Sequence, residues 1–257
     1  MGFGSYDESE QENQDLDADF DDEDGVRAAE EVHEGSVDYE PGASNDELLD
    51  RLQEIKSEDA GGDPPSRTLG IAFSDARDSS FAAGVVVRAD GTPDGVAFAR
   101  CTVGGTDATD AALDCWRALD REDVRHVACA GVAPAWFNLL DLRRLSETLD
   151  RPVYAVSYES SPGLEPALRD AFDGDALADR LATYRSLPPR VPVAPASDPA
   201  SDDSAVDDPR FVRAVGVDPE RAAAAVRGLT RDGFRRCEPL RTAALAASAH
   251  REAVTDE

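Results

Sequence analysis

The feature that most limits what this chain can fold into is a change of character at Arg67. Residues 1–66 hold 23 of the 54 acidic residues against only Arg27, Arg51 and Lys56, a local charge of −20. Large apolar side chains are few there. Such a segment cannot bury enough surface to offset about 1–2 kcal/mol per residue of backbone ordering entropy, so an acidic, mostly disordered tail is expected. Within it, Leu48, Leu52 and Ile55 fall on one helical face and Asn45 is placed to cap it, which predicts a short docking helix near 45–56. The run Asp15–Asp24 lacks the glycine and closing glutamate of a calcium loop and reads as solvated charge. Gly61-Gly62-Asp63-Pro64-Pro65 reads as a linker, because paired glycines and prolines resist both helix and ladder.

From Arg67 onward, short apolar runs take over. Thr68–Phe73, Ala82–Arg88 and Gly95–Val103 read as three strands, with turns at Ala89-Asp90-Gly91 and Pro93-Asp94-Gly95. A helix over Thr106–Leu119 follows, then a strand over Val124–Ala130 whose continuous apolar character suits burial on both faces. Ala135–Leu149 reads as a second helix, Val153–Tyr158 as a fifth strand, and Leu164–Tyr184 as helix broken at Asp173-Gly174. The order βββαβαβα is that of an α/β domain: a ribonuclease H-like mixed five-stranded sheet flanked by helices, a doubly wound fold being the neighbouring possibility. Ala194–Pro209, rich in Pro, Ser and Asp, is expected to be a disordered loop. Phe211–Val217 (strand), Pro219–Arg227 and Glu238–Arg251 (helices) then form a C-terminal extension packed on that sheet, so one domain spans 67–257.

The net charge of −28 accompanies a second bias, since Lys56 is the only lysine. Together they suggest adaptation to high salt, where a carboxylate coat stays hydrated and its self-repulsion is screened within about 3 Å at 1 M. Cys101, Cys115, Cys129 and Cys237 show neither a CxxC pair nor zinc spacing and are expected to be buried free thiols. No signal-like or membrane-length apolar run occurs, so a cytoplasmic protein without membrane partners is expected. Met1-Gly2 begins like a myristoylation signal, but Tyr6 stands where Ser or Thr is required.

Several motifs occur in one order: Gly70-Ile71, Asp94-Gly95-Val96, Gly105-Thr106-Asp107-Ala108-Thr109-Asp110, Gly131-Val132-Ala133, Phe137-Asn138-Leu139-Leu140-Asp141-Leu142, Arg151-Pro152-Val153 and Glu238-Pro239-Leu240-Arg241. In this combination the chain resembles the archaeal domain of unknown function 99 family, which is related to endonuclease V. The tail resembles a short acidic haloarchaeal family of unknown function. The first resemblance implies a ribonuclease H-like fold, and in an active nuclease of that fold a divalent metal sits between carboxylates of the first strand, the fourth strand and a helix. Here the first strand reads Gly70-Ile71-Ala72-Phe73-Ser74 where the family has aspartates after Gly-Ile. The fourth ends Ala130-Gly131-Val132-Ala133 where the family has Asp-Gly-Ile-Ala. Two ligands are thus missing, with Asp75 or Asp78 as the nearest substitutes.

Asp107, Asp110 and Asp141 are the remaining candidate catalytic acids, and Gly105, Thr106, Asn138 and Arg241 the candidate binding residues. Each has a structural reading beside it. The Gly104-Gly105 turn suits an anion, but Thr106 or Asp107 equally suits a helix cap. Asn138 and Asp141 would share one face of the second helix, with Asp141 able to pair with Arg143 or Arg144. Arg241 has Glu238 at helical spacing. Trp116, Trp136 and Phe137 suit base stacking or, more ordinarily, the core. His33, His126 and His250 lie far apart in sequence. The expectation is a noncatalytic module that binds nucleic acid or another protein, with no metal. The alternative is a metal-dependent endonuclease acting on deaminated nucleic acid through substitute carboxylates, using Mg or Mn.

Overall fold

A computed structural model of the protein describes residues 64–193 and 209–255. The expected acidic tail, the helix near 45–56 and all but the last residue of the 194–209 loop lie outside them.

The first three strands, β1 (Arg67–Asp75), β2 (Ser79–Arg88) and β3 (Pro93–Thr102), form an antiparallel meander. Gly91 closes the β2–β3 turn at φ +83°, a backbone shape that favours glycine. The second expected turn, Pro93-Asp94-Gly95, is instead the start of β3: Asp94 is held against the sheet by Arg67, Arg88 and Arg121, which keeps the chain extended. Helix α1 (Ala108–Leu119) leads to β4 (His126–Ala130), which runs parallel to β1, and β5 (Val153–Ser157) runs parallel to β4. Two more strands extend this sheet, β6 (Val191–Pro192) and β7 (Phe211–Val215), giving the order β3-β2-β1-β4-β5-β7-β6. The sheet therefore has seven strands, not five. β7 pairs antiparallel with β5 and completes an edge that would otherwise expose unpaired N–H and C=O groups.

Alternation along each strand divides the core. Leu69, Ile71, Val127, Cys129, Val153 and Ala155 pack on one side with Leu113 and Cys115 of α1 and with Leu142, Leu145 and Leu149 of α2 (Leu142–Leu149). Ala128, Tyr154, Val156, Val212 and Ala214 pack on the other side with α5 (Pro219–Gly228) and Leu240 of α6 (Glu238–Thr255). Helices α3 (Glu165–Ala171) and α4 (Gly174–Ser186) break where Asp173-Gly174 was expected to break them. The C-terminal helix is integral to the domain. It starts so close to β1 that a Cβ on Gly70 would lie 2.1 Å from the Pro239 carbonyl oxygen, which is why those two motifs coexist.

The single helix expected over Ala135–Leu149 does not form. Ala135, Trp136 and Phe137 have φ of 48°, 52° and 63°, so the chain makes a left-handed turn before α2 begins at Leu142. Three consecutive left-handed non-glycine residues cost about 1–2 kcal/mol each, so surrounding contacts must hold them.

Candidate functional site

The residues singled out from the sequence build a structural latch. Asn138 is fully buried; its Oδ1 accepts from the Ala108 N–H at 2.9 Å, and its Nδ2 donates to the Thr102 carbonyl at 2.9 Å and to Asp107 Oδ1 at 2.7 Å. Asp107 also accepts from the Thr102 N–H at 3.1 Å and from the Thr102 hydroxyl at 3.0 Å. Burial opposes ionisation of Asp107, but these hydrogen bonds outweigh it and hold its pKa below the ordinary value. Neither Thr106 nor Asp107 caps α1 through its side chain; the oxygen on its first amide comes from Asn138, thirty positions later. Asn138 and Asp141 do not share a helical face, because the left-handed turn separates Asn138 from α2 and Asp141 is the cap of that helix, accepting from the Arg143 and Arg144 amides.

The other candidates are also engaged. Asp110 pairs with Arg144 at 2.6 Å across exposed surface, and Arg241 is bound in a fork to buried Glu238, away from any shared site. Gly105 gives its carbonyl to Arg180 at 3.0 Å, while its N–H and that of Gly104 donate to Thr102 and Ala135, so this turn does not present a row of open amides to an anion. Thr106 is exposed and lines a small cavity with Thr109, Asp141, Arg144 and Arg180. Trp116 packs at the core margin, but Trp136, expected in the core, is 54% exposed. All four cysteines are free and buried.

The positions where the resembled family carries aspartates come together, but with the wrong chemistry. Ala72, in the C-terminal half of β1, and Ala130 at the end of β4 join one apolar cluster with Ala243 of α6. Methyl groups offer a hard cation no oxygen, so a divalent metal does not fit between these strand ends. Asp75 accepts from Ser80 at 2.6 Å, and Asp78 is exposed. Among the described residues, no three His, Cys, Asp or Glu side chains converge as metal ligands.

Beside Ala130 opens a cavity of about 560 Å³ that sequence reasoning missed. Gly131, Val132 and Ala133 follow β4 along its lining, Ser157 ends β5 and Tyr158 follows it, and Tyr184, Arg190, Arg213, Arg235 and Arg236 surround it. Arg190 lies 3.7 Å over the Phe211 ring and donates to Ser157 Oγ at 3.1 Å. Arg213 donates to the Tyr184 hydroxyl at 3.4 Å, and Arg236 sits over the Tyr158 ring at 5.8 Å. Among the described residues, Arg190, Arg213 and Arg236 form no ion pair with a carboxylate, while burial, then the charge of Arg213, lowers the pKa of Arg190. Uncompensated guanidinium groups beside tyrosine rings can bind an anion or stack on a flat base. The one sequence signal was Arg213, a cation at the centre of the apolar strand Phe211–Val215.

Comparison with known proteins places the domain. A family described as Endonuclease dU matches residues 64–251, and a family of unknown function matches residues 3–56. A UPF0215 protein of Thermococcus kodakarensis is 34% identical over 168 residues, covering 65% of this chain and 78% of that protein. A protein of unknown function from Archaeoglobus fulgidus has the same fold, with a TM-score of 0.57 at 23% identity, covering 72% of this chain and 97% of its own. An endonuclease V of Bacillus subtilis superposes with a TM-score of 0.49 at 13% identity over 83% of this chain and 94% of that one. With the larger match spanning nearly the whole described domain, the chain belongs to the Endonuclease dU family.

Proposed function

We propose that this chain binds nucleic acid through the cavity beside Ala130 and does not hydrolyse it. The observation that carries the reading is that cavity itself: arginines and tyrosines crowd its walls, while its floor presents alanine where the resembled nucleases place a metal-binding carboxylate. Arg190, Arg213 and Arg236 supply positive charge for phosphate, and Tyr158 and Tyr184 supply flat faces for a base. In a chain of net charge −28 such a focus of cations is selective for position, because the surrounding carboxylates repel phosphate elsewhere.

The family's description makes DNA carrying deoxyuridine the first ligand to try, with inosine-containing DNA and RNA beside it. The test is binding and cleavage of these strands by the full chain, with Mg²⁺ or Mn²⁺ at low and high KCl. Binding without strand scission, weakened in R213A, is the expected result. Metal-dependent scission would overturn the noncatalytic reading, and binding indifferent to R213A would move the ligand away from this cavity.

A further inference from the structure

The left-handed turn after β4 presents one large aromatic side chain to solvent, and nothing in the latch or the core requires it to do so. Trp136 is 54% exposed although it stands at φ 52°, a conformation that opposes a bulky residue. Several contacts hold the indole there. Gly104 lies directly against it: a Cβ on Gly104 would meet Trp136 Cε3 at 2.7 Å, and the Gly104 N–H donates to the Ala135 carbonyl at 2.7 Å. Phe172 packs against the indole at 5.1 Å between centroids, and Phe137 at 5.9 Å. Beneath Phe172, the Arg180 guanidinium stacks at 3.9 Å and donates to the carbonyls of Gly104 and Gly105. Arg180 is only 6% exposed and forms no ion pair among the described residues, so a buried cation is committed to bracing this turn.

The platform adjoins the cavity. Phe137 packs in one apolar cluster with Ala133, Leu164 and Tyr184, all three of which line that cavity, and the Trp136 ring meets the Phe137 ring at 5.9 Å. An exposed indole on a braced turn next to the wall of a cavity that holds Arg190, Arg213 and Arg236, none of which forms an ion pair with a carboxylate among the described residues, fits a strand that offers an unstacked base and a neighbouring phosphate. We infer that Trp136 is a stacking platform for an unpaired nucleobase whose flanking phosphates lie on the cavity arginines. The inference rests on the nucleic-acid reading above and deepens it, because it selects single-stranded or locally opened nucleic acid over intact duplex. In a paired duplex both faces of each internal base are already covered, so the indole gains nothing there.

The experiment is fluorescence anisotropy of the full chain with a fluorescein-labelled single-stranded oligodeoxynucleotide and with the same strand fully paired, for wild type, W136A, W136F and R213A. Loss of the indole is expected to weaken single-strand binding about tenfold, W136F to keep most of it, and duplex binding to change little. Thermal melting of W136A checks that the domain stays folded, as a half-exposed side chain allows. Single-strand binding unchanged in W136A but lost in R213A would overturn the platform while leaving the cavity reading intact. Equal weakening for strand and duplex would overturn it as well. If wild type binds neither probe, the nucleic-acid reading and the platform fall together, and a protein partner takes their place.

Discussion

Ala72, in the C-terminal half of β1, and Ala130, the last residue of the adjacent parallel strand β4, join one apolar cluster with Ala243 of α6. In the resembled family two carboxylates would share a cation here, and in this chain both positions present methyl groups. Ala72 is 1% exposed, so a lone charge there is expensive. A72D is predicted to cost roughly 3 kcal/mol or more, about 10 °C in melting temperature. In the double variant A72D/A130D the two charges repel, and added Mn²⁺ should recover part of the loss by binding the folded state alone. Melting curves with and without Mn²⁺ check this; a double variant indifferent to the ion would show that these alanines do not stand at a metal position.

The Asp107–Asn138 latch makes a second prediction. N138A strands the buried Ala108 N–H and takes one of two donors from the Thr102 carbonyl, which keeps the Gly105 N–H, and should cost about 1–3 kcal/mol. Asp107 is held below its ordinary value of 3.8, so its stabilisation is present above that pH and is lost as the pH falls through the lower folded value. D107N should therefore lower the melting temperature at neutral pH and converge with wild type in strong acid. Parallel melting curves that stay separated at low pH would show that the carboxylate's charge is not what the latch uses.

Most of the sheet was legible because its strands are buried on both faces, which writes them as continuous apolar runs; β1, β2, β4 and β5 all begin or end within three residues of their expected bounds. β6 was not legible, since two residues with a proline carry no periodicity. The break after β4 was hidden for a different reason: Ala135–Leu149 has helical spacing throughout, and long-range hydrogen bonds override it, Asn138 donating to Thr102 and Asp107 and accepting from Ala108. The motifs that carried the family resemblance explain the latch and the Gly70–Pro239 contact. The cavity arginines come from three separate segments, Arg190, Arg213 and Arg235-Arg236, and only the fold collects them.

The four thiols should be silent in the native protein. Burial pushes Cys101, Cys115 and Cys129 up to about 12 and Cys237 up to about 11, which leaves almost no thiolate at neutral pH. Titration with an aromatic disulfide reagent is predicted to show no fast-reacting thiol in buffer and four in denaturant. A thiol that reacts at once in the native state would contradict the packing of its strand or helix.

The salt dependence of binding tests the cavity arginines as a group. If Arg190, Arg213 and Arg236 each neutralise one phosphate of a single strand, log K should fall with log salt with a slope of about −2. R213A then removes one contact and should reduce the steepness by about 0.7, whereas W136A should weaken binding and leave the slope unchanged, because stacking releases no counterion. The two variants thus separate charge from stacking in one titration series. A wild-type slope near zero would mean that these guanidinium groups, although they make no ion pair within the described protein, do not meet phosphate.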